Sequence, residues 1–198
     1  MIELRPARES EIVLTFLKAE LDYSDQRQAI QQCLQKFGQT RAELVDNPDL
    51  DNDYENAVRA VVLQCYRGYL SKTGVFTGFP SNVVWRRVEL EGRDLDRLKY
   101  VRSLEWMPRS RGTRLPQTVA DRIASGELPD IAQKVADIQE TLRRGETLHE
   151  LVGVEGEGRD LILIEGAHRT TAYMGLRWST NVAAFIGRSS QMSCWQFY

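Results

Sequence analysis

Residues 161–173 read Leu-Ile-Leu-Ile-Glu-Gly-Ala-His-Arg-Thr-Thr-Ala-Tyr, and this stretch decides the fold. Its four leading apolar residues predict a short buried strand, Gly166 predicts a tight turn, and a helix is expected to open at His168. Backbone N–H groups collect at a helix N-terminus, where they favour an anion such as a phosphate. The alternative is an ordinary strand–turn–helix whose polar side chains are only solvated.

Hydrophobic spacing, glycines and prolines predict the elements on either side of this stretch. Close to it we expect a helix over 129–144, a strand over 148–154, a turn over 156–160 and a closing strand over 181–186. Further upstream we expect a strand over 83–90, a short helix over 93–100, an extended segment over 101–106 and a helix over 116–124. Three helices come first, over 8–22, 25–37 and 54–70.

These elements predict an α+β fold with a small mixed sheet, flanking helices and an N-terminal helical extension. We expect residues 81–198 to form the domain with the sheet, and residues 1–80 to form the helical extension that packs on it.

Composition narrows the class of protein. The 198 residues include 26 Lys and Arg against 28 Asp and Glu, a formal charge of −2. Binding to a DNA duplex usually needs a basic surplus, so the composition argues against nucleic acid as a partner. No apolar run approaches the roughly 20 residues of a membrane helix, and the N-terminus lacks the apolar core of a signal peptide.

The number and spacing of the cysteines indicate the cellular compartment. Cys33, Cys65 and Cys194 are odd in number and widely spaced, which is typical of reduced thiols in a cytoplasmic protein. Together with the two histidines of the chain, these cysteines supply too few ligands for a zinc site.

The order of elements around the Gly-x-His-Arg-x-x-Ala segment resembles the ParB/sulfiredoxin-like superfamily. In that group a similar segment follows a hydrophobic strand, and Gly166, His168, Arg169 and Ala172 match it here. The resemblance covers roughly residues 83 to 187, and the N-terminal helices have no counterpart in the minimal fold.

Two departures separate the activities that the resemblance implies. Sulfiredoxins carry a reactive cysteine where this chain has Ala167, which argues against peroxiredoxin repair. ParB partition proteins, which bind CTP, add a helix-turn-helix after this domain, whereas only some twelve residues follow the closing strand here. The branch that remains resembles small-molecule kinases, such as the free-serine kinases of this fold.

The resemblance implies a set of site residues. We expect the phosphates of ATP, ADP or CTP to be held by Gly166, Ala167, His168, Arg169, Thr170 and Thr171. His168 and Arg169 would neutralise the charge of the transferred group. Glu165 or Glu105 would act as the base, and Glu165 would hold Mg²⁺ through water. Burial beside Trp106 would make Glu105 a stronger base.

Two further segments are candidates for binding the acceptor. Arg109, Arg111 and Arg114 lie in a loop with Gly and hydroxyl residues that suits a carboxylate or phosphate, and we favour Arg114. Lys72 lies in an aromatic loop over 67–82. Ordinary alternatives stay open: a solvated basic loop, aromatic residues that only anchor their loop, a helix-capping Glu165, and ion pairs at Glu105 and Arg169.

Three hypotheses about function follow. The first is a nucleotide-dependent phosphotransferase that acts on a hydroxyl of a small metabolite. The second is a CTP- or ATP-binding regulatory module without chemistry, whose aromatic C-terminal tail docks a partner. The third is a nucleic-acid-processing protein of the same fold. A homodimer is compatible with each of them.

Overall fold

The computed structural model describes residues 1–23, 26–156 and 158–198. The chain forms two compact units. The first, which we call the sheet unit, contains Met1–Pro6, Arg86–Arg188 and Tyr198. The second, the helical unit, contains Ala7–Trp85 and Ser189–Phe197. The sequence predicted a boundary between residues 80 and 81. In the structure, the first six residues belong to the sheet unit and most of the C-terminal tail belongs to the helical unit.

The helical unit is built on three α-helices, as the 3–4 spacing of apolar residues predicted. They are α1 (Glu9–Tyr23), α2 (Arg27–Lys36) and α3 (Asp53–Arg67). The Asn52 side chain caps α3 by accepting a hydrogen bond from the Glu55 N–H at 3.2 Å. The predicted start of the second helix at residue 25 lies outside the described residues.

The sheet unit carries a mixed sheet, which confirms the α+β expectation at the level of fold class. Its strands are β1 (Ile2–Ala7), β2 (Val84–Leu90), β3 (Leu98–Tyr100), β4 (Leu151–Glu155), β5 (Leu161–Glu165) and β6 (Val182–Arg188). Their order in the sheet is β1-β2-β6-β4-β5-β3. β4 pairs antiparallel with β5 and parallel with β6, and β3 pairs parallel with β5.

The middle of the sheet explains its sequence pattern. In β4 and β5 the first four residues are all buried, so both faces of these strands are covered. A strand that is covered on both faces has a continuous apolar run instead of alternation. The segment Leu161–Ile164 is such a continuous apolar run.

The described part of the sheet unit also contains five helices: α4 (Gly92–Leu95), α5 (Trp106–Arg109), α6 (Pro116–Ala124), α7 (Pro129–Arg143) and α8 (Ala167–Gly175). Both α6 and α7 begin at a proline, which the first turn of a helix tolerates. α8 packs against α6 and α7. This contact brings the N-terminal part of α7 close to the turn that precedes α8.

Three expectations about local structure were wrong. The helix expected over 93–100 is a single turn, α4, because Glu91 and Asp94 form a reciprocal capping box and residues 98–100 then join the sheet beside β5. The segment expected to be extended over 101–106 is a loop, in which the Ser103 hydroxyl accepts a hydrogen bond from the Trp106 N–H and starts α5.

The third error is the omission of β1. Ile2-Glu3-Leu4-Arg5 does alternate, but the first five residues of this strand are exposed, so burial does not distinguish its two faces.

Among the described residues, no helix is long and apolar enough to cross a membrane. Glu157, in the turn expected over 156–160, lies outside them.

Candidate functional site

Gly166 sets the geometry of the candidate site. Its φ of +103° is a left-handed conformation that side chains disfavour. A Cβ at this position would lie 2.4 Å from Leu151 Cδ2 and 3.1 Å from Arg169 Nη2. α8 begins at the next residue, and no side chain in the described part of the chain caps its N-terminus. Since the first N–H groups of a helix have no intrahelical partner, this end of α8 can accept an anion.

Arg169 turns inward rather than toward a ligand. Its side chain is almost fully buried, and Nη2 lies 3.4 Å from Glu165 Oε1 and 3.4 Å from the Glu150 carbonyl oxygen. The guanidinium therefore connects the end of β5 to the start of α8 across Gly166. This geometry agrees with the alternative of a structural ion pair.

Thr170 and Thr171 are fully buried in α8. Their hydroxyls donate to the carbonyl oxygens of Gly166 at 3.0 Å and Ala167 at 2.8 Å. The Thr171 hydroxyl also lies 2.6 Å from the Tyr100 hydroxyl, which joins α8 to β3. In the structure both hydroxyls are buried and bonded to the backbone, so the phosphate-binding role expected of this segment stays a prediction.

His168 projects into an aromatic and cationic environment. Its ring packs edge-on to Trp106, with centroids 5.1 Å apart, and Trp106 stacks on Tyr100 at 4.4 Å. Burial, and then the positive charges of Lys134, Arg109 and Arg169, lower the pKa of His168 from 6.5 to about 3. The imidazole is therefore neutral at physiological pH. It can form hydrogen bonds, but it does not bring the positive charge that the sequence analysis gave it.

Glu105 and Arg109 lie at the outer side of the same cluster. The Glu105 carboxylate is 54% exposed and pairs with Arg109 Nη1, so the expected burial beside Trp106 is absent. Arg109 Nη2 donates to Asp130 Oδ2 at 2.8 Å, and its guanidinium lies 5.2 Å from the centre of the Trp106 ring. The structure thus brings Glu105, Arg109 and His168 together.

Two members of this cluster were not among the residues predicted from the sequence. Asp130 binds Arg109, and Lys134 is close enough to act on the charge of His168. They lie four residues apart near the start of α7, a spacing that places them on one helix face. The spacing of Asp130 and Lys134 was visible in the sequence. Their link to His168 depends on the packing of α7 beside α8, which the sequence did not show.

The remaining candidates lie elsewhere. Arg114 is buried, with Nε donating to the Tyr100 carbonyl oxygen at 2.7 Å, and this burial lowers the pKa of its guanidinium. Arg111 is exposed and pairs with Glu127 at 2.7 Å. Lys72 belongs to the helical unit, where its ammonium lies 5.4 Å from the centre of the Tyr69 ring. The structure therefore does not gather the three arginines into one acceptor site.

Within the described ranges, no group of three or more His, Cys, Asp and Glu side chains is placed to hold a metal ion. Mg²⁺ is often held by one or two carboxylates together with substrate phosphates, so the residues present fit only that kind of site. The exposed Glu105 meets this requirement better than Glu165, which is 16% exposed and pairs with Arg169.

No family model, curated protein or solved structure matches the chain significantly. The likeness to the ParB/sulfiredoxin-like superfamily therefore stays a prediction from the sequence.

Proposed function

We propose that this protein is a nucleotide-dependent phosphotransferase that acts on a hydroxyl of a small metabolite, with ATP or ADP and Mg²⁺ bound at the start of α8. One observation carries the proposal. An uncapped helix N-terminus lies beside a neutral histidine whose surroundings include Arg109 and Lys134. Phosphoryl transfer depends on positioning and on positive charge around the transferred group, and this arrangement offers both.

The residues present fit a nucleotide's phosphates in the following way. The N–H groups of Ala167 and His168 and the cations of Arg109 and Lys134 would hold the phosphate oxygens. The neutral His168 would donate or accept a hydrogen bond at the same place. Glu105 would accept the proton of the acceptor hydroxyl. Mg²⁺, when bound, would supply further positive charge to the phosphates.

The order of strand, glycine and helix at this site is also the order that led us to the ParB/sulfiredoxin-like resemblance. We keep membership of that superfamily as part of the proposal. Its small-molecule kinase branch is the one that fits Ala167, since this position lacks the cysteine of the sulfiredoxins.

A second function is favoured by the state of the two candidate carboxylates. Glu105 pairs with Arg109 and Glu165 pairs with Arg169, so an acceptor hydroxyl would have to compete with a guanidinium for either carboxylate. A regulatory module that binds CTP or ATP without transferring phosphate needs no base. The two functions share the binding site and differ only in turnover.

Nucleotide binding and turnover should be measured on the same preparations. ATP, ADP and CTP with Mg²⁺ are tested for a rise in melting temperature, and the nucleotide that binds is then incubated with a panel of hydroxylated metabolites. We expect stabilisation by a nucleotide and acceptor-dependent product formation. Stabilisation without turnover for any acceptor would favour the regulatory module.

Three variants locate the site. His168→Ala and Lys134→Ala are expected to weaken nucleotide binding at least tenfold. Arg111→Ala is the matched control, because it removes a cation that pairs with Glu127 at the surface, and it should bind as the wild type does. Equal affinity in all four proteins, or no binding of any nucleotide, would contradict the proposed site.

A further inference from the structure

The strand β1 forms one edge of the six-stranded sheet. Within the described part of the chain no strand lies on its outer side, so a row of backbone N–H and C=O groups faces outward there. The first five residues of the strand are exposed. Arg86 on β2 donates to Glu3 Oε2 at 2.9 Å and helps to hold β1 on the sheet. β1 is therefore a strand edge that is ready to pair with a further strand.

The side chains of β1 divide into an apolar face and a charged face. Successive residues of a strand lie on opposite faces, so Ile2, Leu4 and Pro6 share one face while Glu3 and Arg5 share the other. Ile2 is 45% exposed and Leu4 is 48% exposed. Pairing with another chain would remove both the backbone groups and this apolar surface from water.

The order of charges in β1 is complementary to itself. A two-fold axis through Leu4 sets β1 antiparallel to a second copy, with Leu4 opposite the partner's Leu4. Glu3 then lies opposite the partner's Arg5, and Arg5 lies opposite the partner's Glu3. Ile2 lies opposite the partner's Pro6, so one face of the pair is apolar throughout. Opposite charges directly across an antiparallel pair stabilise it.

Other registers lack this complementarity. An axis through Glu3 or through Arg5 places two like charges opposite each other, which destabilises the pair. An axis between Glu3 and Leu4, or between Leu4 and Arg5, places each charge opposite an apolar side chain. The sequence of β1 therefore favours a second copy of the same chain in one register.

We propose that β1 is the contact surface of a homodimer, in which the β1 strands of two chains pair antiparallel about a two-fold axis through Leu4. A carboxylate accepts several hydrogen bonds, so Glu3 can bind the partner's Arg5 while it keeps Arg86. Pro6 ends the paired segment because it has no N–H to donate. So short a contact buries less than the roughly 1,000 Å² of a stable interface, and the dimer is therefore weak and concentration-dependent.

This inference does not rest on the proposed phosphotransferase activity. β1 lies at one edge of the sheet, whereas α8 follows β5, which lies next to the strand at the other edge.

Sedimentation equilibrium of the full chain from micromolar to millimolar concentration tests the proposal. We expect a monomer–dimer equilibrium for the wild type. Glu3→Arg and Arg5→Glu each make both charge pairs repulsive, and each is expected to raise the dissociation constant at least tenfold. The double variant Glu3→Arg/Arg5→Glu restores opposite charges in both pairs, and so does an equimolar mixture of the two single variants. Both are expected to dimerise as the wild type does.

Glu146→Arg is the matched control, because it makes the same change of charge outside β1. Glu146 is 54% exposed and pairs with Arg144, much as the 51% exposed Glu3 pairs with Arg86. This variant should keep the dissociation constant of the wild type.

Circular dichroism checks that each variant folds. If a charge reversal prevents folding, Leu4→Lys replaces it, since it brings two ammonium groups together at the two-fold axis and is likewise expected to raise the dissociation constant at least tenfold. The proposal is overturned if the wild type stays monomeric at millimolar concentration, or if folded variants with a reversed charge or with Leu4→Lys dimerise as the wild type does. A folded double variant that stays monomeric would also overturn it.

Discussion

At the scale of single residues, Gly166 and His168 define what the candidate site can do. Gly166 allows the chain to leave β5 and enter α8 with a φ of +103°. His168 then lies among cations, and burial together with the charges of Lys134 and Arg109 keeps it neutral. Both residue types were visible in the sequence. The neutrality of His168 was not, since it depends on Lys134 and Arg109, which come from other parts of the chain.

Replacing Gly166 by alanine is expected to lower the free energy of unfolding by about 2–4 kcal/mol. Its Cβ would meet Leu151 Cδ2 at 2.4 Å, in addition to the cost of the left-handed backbone. Gly126→Ala is the matched control, because Gly126 has a φ of +81° but nothing lies within 4 Å of a Cβ there, and it should cost about 1 kcal/mol. Urea unfolding measures both, and equal costs would contradict the close approach at Gly166.

Acid is expected to destabilise the protein through His168. The folded-state pKa of about 3 lies below the ordinary value of 6.5, so the unfolded chain binds the proton first as the pH falls. The free energy of unfolding is therefore insensitive to this group above about pH 6.5. Between about pH 6.5 and about pH 3 it falls with falling pH, by up to about 1.4 kcal/mol per pH unit.

The measurement is urea unfolding of the wild type and His168→Gln at pH 7 and pH 5. The wild type should lose more stability than the variant between these two values. If both proteins lose the same amount, the pKa of His168 is not lowered in the folded state.

At the scale of elements, the junction depends on how β3, α7 and α8 are held together. The Tyr100 hydroxyl on β3 meets Thr171 on α8, while α7 supplies Asp130 and Lys134. The periodicity of the sequence predicted α7 and α8 well because each has a clear apolar face. It missed β3, since three residues are too few to show a period and only the pairing with β5 makes them a strand.

Thr171→Val is expected to destabilise the protein by about 1–3 kcal/mol, because it leaves the buried Tyr100 hydroxyl without its partner. Thr170→Val is the control. Its hydroxyl is equally buried but donates to the carbonyl oxygen of Gly166, the residue directly before its own helix, so the cost should stay below about 1 kcal/mol. Thermal unfolding of the two variants measures both losses of stability. An equal loss in both would contradict a stabilising role for the hydrogen bond between Tyr100 on β3 and Thr171 on α8.

At the scale of the whole molecule, the chain divides into two compact units. The predicted helices of the N-terminal part and the mixed sheet are both present. The tail over 189–197, however, belongs to the helical unit. Trp195 is 2% exposed, its indole N–H donates to the Val75 carbonyl oxygen at 2.6 Å, and its ring packs edge-on to Phe79. Aromatic content alone indicated that the tail packs or docks, but not where.

Trp195→Ala is expected to destabilise the helical unit by about 3–5 kcal/mol, since a large buried side chain and its hydrogen bond are both lost. Phe197→Ala, in the same tail, should cost less because Phe197 is only half-buried. Circular dichroism during urea unfolding gives both values. A negligible effect of Trp195→Ala would show that the tail does not stabilise this unit in solution.

The central claim is that phosphates bind at the start of α8 beside His168. The most direct test is an NMR pH titration of the His168 ring between pH 4 and pH 7 with and without the ATP–Mg²⁺ complex, with His149→Gln used to assign the signal and adenosine as the control without phosphates. Phosphate charge should offset the field of Arg109 and Lys134, so the account predicts that ATP–Mg²⁺ raises the pKa of His168 and shifts its ring signals toward the protonated form, while adenosine does not. Binding of ATP–Mg²⁺ that leaves the His168 signals and pKa unchanged would contradict it.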